Sequence, residues 1–366
     1  MKILLLKETV SNEKRVAITP DVISKYTKLG YEVLIESGAG EGSNINNQDY
    51  LNSGGKIIEN ISEVIADVDI ILKVQGLDDA ELKKLSNCKK DAVLIGMLNP
   101  YQNPDKAKTY QDCGIKAFSV ELFPRISRAQ SMDALSSQSN LVGYRAVIEA
   151  VAHLDIAVPM MMTAAGTITP AKIMVLGAGV AGLLAIATAK RLGAVVCAFD
   201  VRAVAKEQVQ SLGAKFIEVV DEQADGETKA GYAKEMSEEY RKKQEQAIFD
   251  NIIKQDIVIT TALIPGKPAP KLITKAMVEA MKNGAVIVDI AAINGGNCEL
   301  TESGKVVEKF GVKIIGYDNF ASHIARDASK LYAKNLYNFV ELITNKNEKR
   351  IEINLEDEIV KASLIS

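Results

Sequence analysis

Apolar and polar positions alternate in blocks along the first third of the chain. Short apolar runs of strand length are separated by helical segments or by glycine turns. They predict strands at 2–6, 31–35, 68–74, 92–97 and 115–119, with a helix at 20–29 that begins after Thr19. Strands that alternate with helices in this way are typical of a parallel sheet, so the pattern predicts an α/β fold.

The same alternation resumes in the second half of the chain. A helix is predicted at 139–152, strands at 172–176, 215–219, 256–260, 286–290 and 313–315, and another helix at 325–342. We therefore predict two Rossmann-like, doubly wound parallel-sheet domains separated by a cleft. The first is discontinuous (1–138 plus 326–366), and the second (139–325) is inserted in it. A cleft between domains is a common ligand site.

One strand-to-helix segment carries the strongest chemical signal. Residues 172–191 read KIMVLGAGVAGLLAIATAKR, in which Gly177, Gly179 and Gly182 follow a strand and open a helix. Such glycines allow a tight turn, the approach of a pyrophosphate, and close helix packing. Asp200 ends the next strand, where a carboxylate accepts ribose hydroxyls and favours NAD over NADP. Arg202 weakens that preference. The alternative is a tight turn that binds no ligand.

Composition excludes several classes of protein. The chain has 366 residues and a net charge of −3, which argues against nucleic acid and anionic membrane surfaces as partners. Four scattered cysteines without C-x-x-C spacing indicate reduced, mostly buried thiols, and two histidines argue against a zinc enzyme. The uncharged stretch 173–189 is short for a membrane span and rich in glycine, so we predict no metal site and no direct membrane insertion.

Two polar segments allow more than one interpretation. Residues 123–140 read FPRISRAQSMDALSSQSN, where Gln130, Ser136 and an Arg–Asp pair would fix a nicotinamide carboxamide. The residues alone favour a plain helix start, with Ser131 or Asp133 as N-cap. Residues 221–246 are strongly charged. They fit equally well a solvated loop followed by a polar helix, or a mobile lid that closes through Tyr232.

Several motifs together resemble one protein family. They are KETVSNEKRVAITP, RISRAQSMDALSSQSNLVGYRAV, VLGAGVAGLLAIATAKRLGA, DVR at 200–202, TALIPGKPAPKLIT and NGGNCELT. The chain resembles the NAD(H)-binding domain I, the first portion of the alpha subunit, of proton-translocating NAD(P) transhydrogenases. That family shares a superfamily with alanine dehydrogenase.

The resemblance assigns roles to individual residues. It implies that Arg125, Gln130 and Asp133 orient the nicotinamide and that Ser136 binds its carboxamide. It also implies the cofactor-binding residues Arg125, Ile126, Ser127, Arg128, Gly177, Ala178, Gly179, Val180, Ala181, Gly182, Asp200, Val201, Arg202, Gly231, Tyr232, Ala262 and Leu263. Tyr232 falls on the mobile lid of the family.

The superfamily leaves alanine dehydrogenase activity as an alternative. Arg15 and Lys73 match positions that hold pyruvate in those enzymes. Against it, Leu98 lies near the place of their catalytic His, and Ile293 stands where they have an Asp. Oxidation of an amino acid needs proton transfer, whereas hydride transfer between two nicotinamides needs no side-chain acid or base. Ile293 also departs from the acidic residue expected in transhydrogenases. A non-catalytic NAD-binding subunit is a third possibility.

The resemblance also implies partners. The chain is expected to form a homodimer that docks on membrane-spanning transhydrogenase subunits and on an NADP(H)-binding domain. It would be cytoplasmic, held peripherally at the inner face of the membrane through those subunits. The run Gly38 to Gly42 favours a connecting turn over a second phosphate loop, so NADP(H) is expected on a partner and NAD(H) on this chain. Proton translocation would belong to the membrane subunits.

Overall fold

The chain folds into two compact α/β units, as the alternating pattern predicts. The computed structural model describes residues 1–85, 87–219, 237–264 and 266–366. Unit 1 comprises residues 1–138 and 321–366, and unit 2 comprises residues 139–320. Each unit has its own predominantly parallel sheet.

Strands and helices alternate along most of the described chain. The strands are β1 (Lys2–Leu5), β2 (Glu32–Glu36), β3 (Lys56–Ile58), β4 (Ile70–Gln75), β5 (Ala92–Met97), β6 (Ile115–Ser119), β7 (Met161–Thr163), β8 (Gly166–Ile168), β9 (Lys172–Leu176), β10 (Val195–Phe199), β11 (Lys215–Phe216), β12 (Ile257–Thr260), β13 (Val286–Asp289), β14 (Lys305–Lys309), β15 (Val312–Gly316), β16 (Thr344–Asn345) and β17 (Arg350–Ile351). The α-helices are α1 (Pro20–Lys28), α2 (Asn47–Asn52), α3 (Asp79–Lys84), α4 (Pro104–Asp112), α5 (Ala134–Ala152), α6 (Val180–Arg191), α7 (Val204–Ser211), α8 (Glu238–Ile252), α9 (Lys275–Ala280), α10 (Ala325–Leu342) and α11 (Glu358–Ser363).

Unit 1 is built on a sheet whose strands all run parallel. Their order is β3-β2-β1-β4-β5-β6, so the order reverses between β1 and β4. One face packs against α1 and α10, with Tyr332, Leu336 and Phe339 of α10 completely buried in the core. In parallel sheets of this order, ligands bind at the carboxyl ends of the strands where the order reverses.

Unit 2 repeats this arrangement. Its strand order is β11-β10-β9-β12-β13-β15-β14, in which only β14 is antiparallel among the described strands. The order reverses between β9 and β12, directly below the glycine turn. Helix α5 crosses the first turn of α6 so closely that a Cβ added to Gly143 would lie 2.0 Å from the carbonyl oxygen of Ala181. Glycine at this position therefore permits the two helices to touch.

Sequence periodicity predicted buried strands well and exposed ones poorly. Strands β5 and β6 have the predicted bounds, whereas β3, β14 and the hairpin of β7 and β8 were not predicted. The hairpin strands are exposed at every residue, so they lack the apolar alternation of a strand that covers a core. Helix α5 begins at Ala134, earlier than predicted, because Asp133 caps it. Residues 220–236 of the predicted loop lie outside the described residues.

None of the helices that the structure describes is both long and apolar enough to cross a membrane. The uncharged stretch that could be mistaken for a span is divided between strand β9, the glycine turn and helix α6.

Candidate dinucleotide site

The glycine turn of unit 2 connects β9 to α6 through very close backbone contacts. Gly177 has φ of 97°, a left-handed conformation that favours glycine. A Cβ on Gly182 would lie 1.9 Å from the carbonyl oxygen of Gly177, which excludes any side chain there. The same oxygen accepts a hydrogen bond from Thr261 Oγ1 at 3.0 Å. These contacts fix the turn against β12.

The remaining glycine of the turn faces open space. Gly179 is the N-cap of α6, and a Cβ built on it meets nothing within 4 Å. No side chain in the described part of the chain caps this helix. Its first N–H groups and the positive end of its dipole are therefore available to an anion. The arrangement fits a pyrophosphate that approaches the backbone at Gly179.

Asp200 lies at the carboxyl end of β10, beside the turn, and its hydrogen-bonding capacity is fully used. Its Oδ2 accepts from the amide of Ala178 at 2.7 Å and from Arg202 Nη2 at 2.9 Å. Its Oδ1 accepts from the amide and Nε of Arg202 at 2.8 and 2.9 Å. Since a carboxylate has about four lone-pair positions, ribose hydroxyls can bind it only if the Arg202 guanidinium moves away.

A second loop beside the turn begins where β12 ends. Ala262 exchanges two hydrogen bonds with the side chain of Asn297, at 3.0 and 2.8 Å, and Asn297 also donates to the carbonyl oxygen of Pro270 at 2.8 Å. Asn297 is completely buried, while Leu263 is exposed. Sequence reasoning selected Ala262 and Leu263 but missed Asn297, which directly follows the Gly295–Gly296 pair.

A buried carboxylate organises the turn that contains Ile293. Asp289, at the end of β13, is completely buried and accepts hydrogen bonds from Thr260 Oγ1 and Thr301 Oγ1 and from the amides of Ala291 and Cys298. Ile293 itself is exposed. The departure from an acidic residue at 293 therefore leaves this hydrogen-bond network intact.

The 123–140 segment belongs to unit 1 up to residue 138, and its residues have strong local roles. Asp133 accepts from the amide of Ser136 at 2.8 Å and from its hydroxyl at 2.5 Å. Asp133 thus caps α5, as the plain structural interpretation predicts. Residues Ser127–Met132 form a 3-10 helix, and Asn335 of α10 donates to the carbonyl oxygen of Ser131 at 2.9 Å.

Three polar residues of this segment project from the surface of unit 1. Arg125, Gln130 and Ser127 are exposed, whereas Ile126 packs on the core. Arg128 is also exposed, but its guanidinium lies 2.6 Å from Asp357, the N-cap of α11. The pKa of Arg128 is raised by this hydrogen bond. Arg128 therefore ties the segment to the last helix, while Gln130 has the exposure that a ligand-binding amide requires.

Arg15, which matches a pyruvate-binding position, is neutralised within unit 1. Its Nε and Nη2 bond to the two carboxylate oxygens of Glu13 at 2.8 and 2.6 Å, and Nη1 donates to Gln138 at 3.0 Å. Burial alone would raise the pKa of Glu13, but the hydrogen bonds and charge of Arg15 outweigh it and lower that pKa to about 2. The guanidinium is thus engaged by the chain itself.

Lys73, the other pyruvate-matching residue, is equally committed. It is completely buried, forms an ion pair with Glu81 and lies 4.0 Å from Glu8. Burial raises the pKa of Glu8 to about 7, although Lys73 and the amide of Val74 oppose the shift. Carboxylates from the chain itself therefore surround both cations near the point where the strand order of unit 1 reverses.

Two site predictions remain without structural counterpart. Gly231 and Tyr232 of the predicted lid lie outside the described residues. Among the residues that the structure describes, no group of His, Cys, Asp and Glu could hold a metal ion.

Comparison with known proteins identifies the family. Residues 4–142 match the model of the N-terminal domain of alanine dehydrogenase/PNT, and residues 146–366 match that of the C-terminal domain. The chain belongs to the alanine dehydrogenase/PNT family. This confirms the resemblance that the sequence motifs indicated.

Transhydrogenase subunits are among the most similar relatives within this family. The chain is 52% identical over 369 residues to the first portion of NAD(P) transhydrogenase subunit alpha of Rhodospirillum rubrum, with 100% of this chain and 96% of the relative covered. It is 50% identical to the protein of the same name from Rickettsia prowazekii, with 100% and 94% covered. Alanine dehydrogenase of Mycobacterium tuberculosis is 31% identical, with 81% and 74% covered.

Solved structures agree with this assignment. A transhydrogenase from Sinorhizobium meliloti superposes with a TM-score of 0.89 at 48% identity, covering 100% of this chain and 98% of that one. An L-alanine dehydrogenase superposes with a TM-score of 0.79 at 23% identity, covering 100% and 94%, and shares the fold.

Proposed function

We propose that this chain is the NAD(H)-binding component of a proton-translocating NAD(P) transhydrogenase. Its substrate NADH would pass a hydride directly to NADP⁺ bound on a partner polypeptide, and membrane-spanning subunits would couple the transfer to proton movement. The observation that carries the proposal is the identity of 52% over the whole chain to a relative named as a transhydrogenase subunit. By the same resemblance the chain would be a homodimer at the inner face of the membrane.

The geometry of unit 2 supports the NAD(H) assignment. The pyrophosphate would bind at Gly179 and the uncapped start of α6, and the ribose at Asp200 once Arg202 moves aside. Ala262 and Leu263 would line the ligand. For unit 1 we propose that Arg125, Gln130 and Asp133 orient the nicotinamide and that Ser136 contributes to its carboxamide site. The lid role of Tyr232 rests on the resemblance.

The charge distribution of unit 1 argues against the alternative of alanine dehydrogenase. An anionic substrate needs cations whose charge is not already balanced, yet Arg15 pairs with Glu13 and Lys73 with Glu81. Leu98 is buried near the position where the dehydrogenase needs a histidine. Proton transfer to an imine therefore has no evident side chain here.

The test uses the full chain with a separately prepared NADP(H)-binding partner. With NADH and an NADP⁺ analogue, turnover should require both proteins. Gln130→Asn should leave NADH binding nearly unchanged and reduce turnover severalfold or more, because the shorter amide misplaces the ring. Gln48→Asn, at an exposed position of α2, is the matched control and should change neither.

Three outcomes would contradict the proposal. Turnover by this chain without the partner would refute the division between two polypeptides. Steady NADH oxidation with pyruvate and ammonia would establish the alanine dehydrogenase alternative. Unchanged turnover in Gln130→Asn would favour a passive NAD-binding subunit.

A further inference from the structure

Two of the four cysteines lie side by side at the amino-terminal edge of the unit 1 sheet. Cys88 is in the connection from α3 to β5, and Cys113 follows α4 directly before β6. Strands β5 and β6 are neighbours, with Ala92 beside Ile115. The amide of Asp91 donates to the carbonyl oxygen of Gly114 at 2.8 Å, so the two connections are held together by the backbone.

The two thiol groups are within reach of each other. The S–H of Cys88 donates a weak hydrogen bond to the carbonyl oxygen of Cys113, with a sulfur–oxygen distance of 3.7 Å. Bond lengths place the Cβ of a residue about 3 Å from its own carbonyl oxygen, so rotation of the side chains can bring one sulfur toward the other. Both residues are partly exposed, which gives a small oxidant access.

We propose that Cys88 and Cys113 form a peroxide-responsive dithiol that closes to an intramolecular disulfide. One thiolate attacks hydrogen peroxide, which is reduced to water as the sulfur becomes a sulfenic acid. The second thiol displaces that hydroxyl as another water and completes the S–S bond. In total, two thiols lose two electrons and two protons, and one peroxide yields two waters. A thiol reductant reverses the step.

The other two cysteines provide an internal comparison. Cys197 lies within β10 and Cys298 is completely buried. Burial raises the pKa of each of these thiols to about 11, which leaves very little thiolate at neutral pH. Burial also raises the pKa of Cys88, and the neighbouring thiol of Cys113 raises it further. The pair is therefore distinguished by mutual proximity and access rather than by unusual acidity.

Closure would cross-link positions separated by 25 residues and tie two connections of one sheet. A disulfide that closes a loop of this size commonly lowers the unfolding equilibrium constant on the order of a hundredfold. Cytosolic disulfides are usually transient and redox-sensing, which fits partly exposed thiols better than a permanent structural bridge.

The test treats the full chain with hydrogen peroxide, blocks remaining thiols by alkylation and maps peptides without reduction. The expected product is one intramolecular Cys88–Cys113 cross-link, with Cys197 and Cys298 recovered as thiols that react only after unfolding. The thermal midpoint should rise by several degrees and return after dithiothreitol. Cys88→Ser and Cys113→Ser should each abolish the shift, while Cys197→Ser should keep it.

The mapping on the unaltered chain decides the proposal even if a variant fails to fold. Sulfinic or sulfonic acid at Cys88 or Cys113 without the cross-link would overturn it. So would disulfides between separate chains, or a cross-link that includes Cys197 or Cys298. The result is independent of the proposed function, because it requires neither NADH nor a partner.

Discussion

The glycine turn allows packing and ligand binding to be separated by two single substitutions. In Gly182→Ala, the new Cβ would begin 1.9 Å from the carbonyl oxygen of Gly177, whereas real Cβ contacts are essentially never below 3.0 Å. The start of α6 and the end of β9 must therefore move apart by about 1 Å, at a cost of about 1–3 kcal/mol in the free energy of unfolding. In Gly179→Ala, the Cβ enters open space at φ of −75°, which any residue adopts.

The two variants should therefore fail in different ways. Gly182→Ala should lower the unfolding free energy and weaken NADH binding about tenfold to a hundredfold, because the displaced N–H groups no longer meet the phosphates. Gly179→Ala should keep the unfolding free energy within about 0.5 kcal/mol of the parent, yet weaken NADH binding about tenfold or more, because its methyl group occupies the phosphate position.

Both quantities can be measured on the same samples. Denaturant unfolding followed by circular dichroism gives the free energy, and NADH fluorescence titration gives the dissociation constant. If Gly179→Ala bound NADH as tightly as the parent, the phosphate position would be wrong. If Gly182→Ala unfolded like the parent, the packing argument would be wrong.

Three further predictions concern the buried polar groups of the two units. Because the pKa of Glu13 is lowered to about 2 from an ordinary 4.5, its pairing with Arg15 contributes about 3 kcal/mol above pH 4.5, and this is lost as the pH falls toward 2; Glu13→Gln should flatten that region of the stability–pH curve measured by denaturant unfolding. Arg202→Ala should leave NADH affinity equal or higher and lower NADPH affinity, because the guanidinium both occupies Asp200 and supplies the charge a 2′-phosphate needs; competition titration checks this, and unchanged NADPH affinity would count against it. Asn297→Ala should cost about 2–4 kcal/mol in unfolding free energy, since three buried hydrogen bonds are lost; a loss under about 1 kcal/mol would show that water replaces them.

Fold class and strand positions followed from the sequence wherever strands are buried. Strands β5 and β6 consist largely of buried apolar residues, so their bounds are visible as apolar runs. Strand β14 has mainly charged, exposed residues and pairs only at the sheet edge, so nothing in its composition distinguishes it from a loop. Helix α5 was predicted to start too late because Asp133 was considered mainly as a ligand group.

The candidate site was predictable only where chemistry and chain order coincide. Gly177, Gly179, Gly182 and Asp200 belong to one β-α-β segment, and their spacing is set by local geometry. The pairing of Asp200 with Arg202 was underestimated, since composition shows an arginine nearby but not that it takes both carboxylate oxygens.

The contacts of Arg15 and Lys73 could not be predicted in this way. Each depends on carboxylates whose approach is decided by how strands β1 and β4 pair, since Glu8 follows β1 and Lys73 lies in β4. Sequence spacing carries no record of such a meeting. A match to a substrate-binding position therefore says little until the neighbouring charges are known.

The interrupted course of unit 1 has a consequence for how the polypeptide matures on the ribosome. Its six-stranded sheet is synthesised first, but Tyr332, Leu336 and Phe339, which fill its core, emerge only after all of residues 139–320. The nascent first sheet must wait with an uncovered apolar face while the contiguous second unit can already fold. Chaperone dependence during translation should therefore concentrate on the segment that is made earliest.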